Sequence, residues 1–262
     1  MPVLPTASTE MLTHEGRRAM KDYDARTYGD RIADAYDELY PRSDPASIDL
    51  LAELAKGGPV LELGIGTGRI ALPLHERGIA VHGIDASEAM LTKLRAKPGG
   101  AEIQAHTGSF DDFAIGERFR LIYVVFNTFF GLLTQDEQLR CFASVSRHLA
   151  PDGVFLLEAF VPDLARFTDG QTVRAVRITE DEVHLDVSRV DPAAQQVTSN
   201  HVLIASDRLS LYPVKLRYAW PSELDLMARL AGLTLRHRWG SWTKQEFTSD
   251  SMLHVSVYGH AQ

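Results

Sequence analysis

Three glycines at alternate positions constrain this chain more than any other feature. Residues 60–74 read VLELGIGTGRIALPL, so an apolar run, Val60-Leu61-Glu62-Leu63, meets Gly64, Gly66 and Gly68 and then passes into a helical pattern. A strand that ends in such a loop and feeds a helix presents bare backbone N–H groups to a ligand. A second signal follows downstream. Val81-His82-Gly83-Ile84-Asp85 reads as the next strand, with an acid at its carboxyl end. In doubly wound sheets an acid at that place accepts hydrogen bonds from ribose hydroxyls.

The glycine spacing separates two classes of nucleotide site. Dinucleotide sites use G-x-G-x-x-G, shaped around a pyrophosphate. Here the pattern is G-x-G-x-G followed by Arg69, and Glu62 beside the loop fits poorly with a pyrophosphate. VLELGIGTGR followed by GIDAS resembles the nucleoside-binding motifs of class I S-adenosylmethionine-dependent methyltransferases of the small-molecule type, over roughly Tyr23 to Phe160. The resemblance implies an α/β fold: a Rossmann-like doubly wound sheet with an antiparallel C-terminal hairpin. It implies S-adenosyl-L-methionine as cofactor and S-adenosyl-L-homocysteine as product. It gives the cofactor to Glu62, Gly64, Gly66, Gly68, Arg69, Asp85 and Ala86. At Gly108 this chain reads GSFDDF where the family often reads G-D-M-x-D-F. Phe110 then takes the place against the adenine, Ser109 replaces the usual acid, and Asp111 or backbone is left for the adenine amine.

The totals bound the rest. A chain of 262 residues suits one α/β domain with an insertion. A net charge of −8 argues against a general nucleic-acid binder, which needs a basic face. Cys141 is the sole cysteine, so an internal disulfide is impossible, which fits a reducing cytoplasm. No apolar run has the length of a membrane span. Histidine and cysteine show no zinc-type spacing, and no metal is expected. The partner expected is a small-molecule methyl acceptor, and the chain itself a monomer or homodimer.

Taken in order, residues 1–22 read as a mobile arm. Residues 23–160 read as the cofactor-binding core with its leading helices. Tyr28, Ile32, Tyr36 and Tyr40 fall four apart, which predicts one helix face ending at Pro41. Similar methyltransferases carry such a tyrosine-bearing segment over the cofactor mouth, and the resemblance puts Tyr28 and Tyr36 there. Asp44-Pro45 predicts an N-cap followed by proline at the first helical position. Thr134 and Glu137 form a capping box. FRLIYVVF, from Phe119, has the continuous apolar character of a strand buried on both faces.

From Thr172 the helical period gives way to period two. Val183, Leu185 and Val187 alternate with His184, Asp186 and Ser188. Residues 161–220 are read as three or four antiparallel strands forming a lid, with a bulge at Pro213 where the alternation changes phase. Ser222 is read as the cap of the next helix, and residues 221–262 return to the core with a closing hairpin.

In a parallel sheet the ligand crevice lies at the carboxyl ends of the strands. Asn127 therefore reads as a cofactor or acceptor contact, and Phe129 and Phe130 as walls of an apolar acceptor pocket. Glu158, Arg217 and Trp220 are further acceptor candidates. Some relatives carry a histidine near the position of Gly131, and its absence removes an obvious general base. His201 and Tyr218 on the lid are the candidates left. The expected reaction is methyl transfer to nitrogen, oxygen or carbon of a small organic acceptor, a metabolite or natural-product intermediate. A non-catalytic nucleoside-binding or regulatory protein and an NAD(P)-dependent oxidoreductase stay open as alternatives.

Overall fold

Strands whose alternate residues are all apolar need cover on both faces, and here both faces are covered. The computed structural model describes residues 23–261. The expected N-terminal arm lies outside them. Five strands enter the main sheet first: β1 (Val60–Leu63), β2 (Val81–Asp85), β3 (Gln104–Thr107), β4 (Phe119–Val124) and β5 (Leu149–Phe160). The hairpin β10 (Leu233–Trp239) and β11 (Leu253–His260) completes it, in the order β10-β11-β5-β4-β1-β2-β3. β1 pairs in parallel with both β2 and β4, while β11 runs antiparallel to β5. Along β4, Ile122 and Val124 pack into one core with α6 (Gln135–His148) and α7 (Pro221–Leu230). Leu121 and Tyr123 pack into the other, with α3 (Pro45–Ala55), α4 (Ala71–Glu76) and α5 (Glu88–Arg95).

The local signals mostly hold. Asp44 accepts the Ala46 N–H at 2.9 Å, with Pro45 opening α3. Ser87 caps α5, and both bonds of the Thr134–Glu137 capping box form. Two expectations for the helices fail. Trp220, rather than Ser222, occupies the N-cap position of α7, because Pro221 opens that helix. The tyrosine helix is broken into α1 (Thr27–Ile32) and α2 (Tyr36–Leu39), with the Ala35 N–H closing a tight turn on Ile32. Its tyrosines converge all the same, the rings of Tyr36 and Tyr40 lying 5.1 Å apart.

Between β5 and α7 the chain builds a second sheet of four antiparallel strands in sequential order. These are β6 (Gln171–Ile178), β7 (Glu182–Asp191), β8 (Gln196–Ala205) and β9 (Leu209–Arg217). The bulge expected at Pro213 is absent, since β8 and β9 pair without a break from Gln196↔Arg217 to Ile204↔Leu209. The change of phase has another cause. Leu209 and Leu211 lie on the exposed outer face, whereas Val214 and Leu216 turn inward over a cavity. The register shift falls in β6, between Ala175 and Arg177.

β1 lies where the connections reverse direction, with β2 on one side and β4 on the other. That switch point opens a crevice at the strand tips. The segment α1–α2 is tied across it: Ser87 donates to Asp30 at 2.6 Å, and Thr67 to Asp37 at 2.6 Å.

Candidate active site

The tips of β1, β2 and β4 form the floor of a cavity of about 430 Å³, the second sheet forms its roof, and α1–α2 forms a wall. On the floor, the Asp85 carboxylate accepts the Gly66 N–H at 2.7 Å and the Ser87 N–H at 2.9 Å. Burial pushes the Asp85 pKa up, and those two amides oppose the shift. Gly64, Gly66 and Ala86 line the same space.

The loop's glycines do different work. A Cβ on Gly66 would meet nothing within 4 Å, so this residue faces the open cavity. A Cβ on Gly68 would come within 2.4 Å of the Leu94 side chain. Gly68, expected at the cofactor, instead lets the loop pack on α5 and does not line the cavity.

Behind the floor lies a buried polar layer. Glu62 is 3% exposed and accepts the Tyr123 hydroxyl at 3.0 Å. Burial pushes its pKa up to about 8, so it holds a proton at neutral pH. It does not line the cavity, and its place is the support beneath the loop. The Arg69 guanidinium sits 4.4 Å from the centre of the Phe126 ring, and its Nη1 lies 3.4 Å from the Arg42 carbonyl oxygen. Its Nε is buried without a partner, and Arg69, expected at the cofactor, does not line the cavity.

The loop after β4 is strained where it meets the cavity. Phe126 and Asn127 both adopt left-handed backbone, with φ of 59° and 61°. Two such non-glycine residues cost on the order of 1–3 kcal/mol each. Two hydrogen bonds hold them: Glu158 accepts the Phe126 N–H, and Asn127 Oδ1 accepts the Phe160 N–H at 2.7 Å. Glu158 therefore acts on the loop's shape. It is absent from the cavity lining, contrary to expectation, because its carboxylate is spent on the backbone.

Of the other residues singled out in the sequence, Tyr28, Tyr36, Ser109, Phe110, Asn127 and His201 face the cavity. Asp111 does not, because Arg140 draws it away at 2.5 Å. Phe129 and Phe130 are fully buried in the core against Phe142 and Phe160. The short 3-10 turn Thr128–Gly131 rotates them inward, and Thr128, Gly131 and Leu132 line the cavity in their place. Arg217 is bound by Glu223 at 2.8 Å, by Gln138 and by Gln195, so it is a buried clamp between the second sheet and α6. Tyr218 is 1% exposed within the core, and Trp220 stacks edge-on against it outside the cavity. Neither reaches the site.

Sequence reading missed Phe126, Met90, Arg174, Val214 and His184, all of which line the cavity. The signal for His184 was present in the alternation of β7, which puts it on one face with Asp186. Its partner is not readable locally: His184 Nε2 lies 3.2 Å from Nδ1 of His201, on the neighbouring strand.

Residues 60–153 match the family described as a methyltransferase domain. The solved structure of the CcbJ methyltransferase from Streptomyces caelestis is 40% identical to this chain and superposes with a TM-score of 0.86, the match covering 92% of this chain and 100% of that one. This chain belongs to the S-adenosylmethionine-dependent methyltransferases. The methyltransferase is also 29% identical, over 236 residues, to the cypemycin N-terminal methyltransferase of a Streptomyces species, covering 87% of this chain and 95% of that protein. It is 26% identical, over 197 residues, to a dTDP-3-amino-3,4,6-trideoxy-alpha-D-glucopyranose N,N-dimethyltransferase of Streptomyces venezuelae, covering 65% and 82%. These relatives give no support to the oxidoreductase or non-catalytic alternatives.

The methyltransferase's own residues fit the family's cofactor. The cavity is open at Gly66, and a carboxylate stands beside that opening. A ribose needs those features. No helix among the described residues is long and apolar enough to cross a membrane.

Proposed function

We infer that this methyltransferase acts on the nitrogen of a small natural-product amine. The observation that carries the reading is the single enclosure formed by the Gly66–Asp85 floor and the second sheet. Both reactants can meet there, away from water. Bound S-adenosylmethionine supplies a methyl carbon made electrophilic by its sulfonium, so the protein's work is alignment and desolvation. A neutral amine needs little more, whereas a hydroxyl acceptor needs a strong base, and the two carboxylates that line the cavity are engaged, Asp85 by two backbone N–H groups and Asp24 by Arg26 and Thr27.

In this reading Asp85 holds the ribose, Phe110 lies against the adenine, and Ser109 or nearby backbone meets the adenine amine. Asn127 lines the reacting end of the cofactor. Tyr28 and Tyr36 surround the sulfonium and its amino-acid tail, with Arg69 behind them against the Phe126 ring. Phe126, Leu132, Val214 and Leu216 give the acceptor an apolar seat. The relatives' names support a nitrogen acceptor: one acts at a peptide N-terminus and one on an aminosugar. We place the enzyme in the cytoplasm, as a monomer or homodimer.

The test has two parts. Calorimetry should show S-adenosylhomocysteine binding to the protein. Mass spectrometry should then show a gain of one methyl on members of a panel of aminohexoses and short peptides with free N-termini. Turnover confined to hydroxyl or carbon acceptors would overturn the nitrogen assignment.

A further inference from the structure

We propose that His201 and His184 form a two-imidazole proton acceptor in the roof of the cavity, which takes the proton from the acceptor's ammonium and leaves the amine free to attack. This rests on the nitrogen-acceptor reading above. Both rings line the cavity, on the sheet face opposite the glycine loop. Their centres are 5.2 Å apart, with His184 Nε2 facing His201 Nδ1 at 3.2 Å. When both rings are neutral, only one proton can occupy that contact. With the proton on His201 Nδ1, the ring donates to His184 and keeps a lone pair on Nε2 as its remaining basic nitrogen.

The step balances as follows. The N–H bond of the bound ammonium breaks, and its electron pair stays on the amine nitrogen. The Nε2 lone pair of His201 forms the new N–H bond. The amine lone pair then forms the N–C bond to the methyl carbon as the C–S bond breaks, with that bond's pair passing to sulfur. The product leaves as a methylated ammonium, and the imidazolium returns its proton to solvent. Placing the ammonium in an apolar cavity weakens its own hold on the proton.

The surroundings suit a base that is empty before the reaction and tolerates charge during it. Burial lowers the pKa of both rings, so they start neutral. From β6, Arg174 presses against protonation of His201, as Arg177 does for His184. Asp186 favours it at both rings, and Glu182 does at His184. Asp186 is His201's direct partner across the β7–β8 ladder, is buried, and accepts the Ser188 hydroxyl at 2.6 Å. Tyr212 stands opposite His201 on β9. From α2's end, Tyr40 feels the Asp186 charge. A lone buried imidazolium would have no neighbour to share its proton. Here His184 Nε2 accepts it.

The experiment compares wild type with His201→Gln and His184→Phe. Each protein is first titrated with S-adenosylhomocysteine, and binding within about twofold of wild type shows an intact cofactor site. Then kcat, KM and their pH profiles are measured with whichever aminohexose or N-terminal peptide the wild type methylates. His201→Gln should lower kcat by about 10²- to 10³-fold with little change in KM, and should abolish the acidic limb of the kcat profile. His184→Phe should lower kcat by about tenfold and move that limb to lower pH, because the imidazolium loses its acceptor. A His201→Gln enzyme that binds S-adenosylhomocysteine normally and keeps kcat within about threefold, limb included, sinks the pair while leaving the methyl-transfer reading intact. Wild type that fails to bind S-adenosylhomocysteine sinks both. Nitrogen NMR of the histidine rings decides independently of turnover. The pair requires His201 to be neutral at pH 7 with an Nδ1–H population. A fixed Nε2–H tautomer, or a charged ring, overturns it.

Discussion

Asp85 accepts the backbone N–H of Gly66 at 2.7 Å, so the acid at the tip of β2 shapes the loop at the tip of β1 before any ligand arrives. Its other oxygen accepts the Ser87 N–H at 2.9 Å. Asp85→Ala therefore removes a ribose contact and a loop brace together. S-adenosylhomocysteine affinity should fall by about 1–3 kcal/mol, the scale for a charged hydrogen-bond partner. Asp85→Asn keeps one acceptor oxygen for Gly66 and should lose less. Equal affinities for all three proteins in calorimetry would remove Asp85 from the ribose site.

Gly66 and Gly68 separate binding from folding. Gly66 faces open space, so Gly66→Val should fold with a strain penalty of about 1–2 kcal/mol, the usual cost of left-handed backbone, and fail to bind S-adenosylhomocysteine. Gly68→Ala places a methyl 2.4 Å from Leu94 on a backbone with φ of 84°. It should lower the melting temperature more than Gly66→Val does. Thermal melts and calorimetry on the same two proteins check this, and a Gly66→Val variant with full affinity would contradict the loop's role.

The residues that reading the sequence placed well are those whose role depends on near neighbours. The glycine pattern, the acid ending β2, the caps at Asp44 and Thr134 and the alternation of the second sheet are local signals. The failures share a different cause. Phe129 and Phe130 looked like pocket walls because they follow β4, but one 3-10 turn decides which way an aromatic pair points. Glu158 looked like a substrate contact because it sits near a strand tip, yet the strained Phe126 amide claims it. Arg217 looked like a lid residue because its burial depends on Gln138 and Glu223, which reach it from separate helices. Such convergence is a property of packing, and no spacing rule carries it.

Arg217 is thus a test of structure against function. Its guanidinium is nearly enclosed, bonding Glu223 at 2.8 Å and Gln195 at 2.9 Å. Arg217→Met leaves the partly buried Glu223 carboxylate without its cation, which costs at most about 3–5 kcal/mol, the scale for a fully buried pair. The urea midpoint should drop accordingly. Adding Glu223→Gln should recover part of the loss, because the stranded charge is gone. A single variant as stable as wild type, with acceptor KM raised instead, would return Arg217 to the substrate site.

Glu62 and His254 set opposite ends of the pH–stability curve. Burial raises the Glu62 pKa from 4.5 to about 8 in the folded protein, so between those values the folded state holds more protons than the unfolded one. Stability from this group is fully present below pH 4.5 and is lost as pH rises through 8. His254 runs the other way. Burial lowers its pKa from 6.5 to about 3, so the unfolded state binds more protons in that window and stability falls as pH drops through it. Glu62→Gln keeps an oxygen for the Tyr123 hydroxyl and removes the titration. Its urea midpoint should gain on wild type as pH rises from 5 to 8, by at most about 1.4 kcal/mol per unit of pH. His254 still titrates in both proteins, so the acid-side loss should stay the same. A variant whose difference from wild type does not change between pH 5 and 8 would show that Glu62 is ionised inside the fold, and the polar layer beneath the glycine loop would then carry a charge at neutral pH.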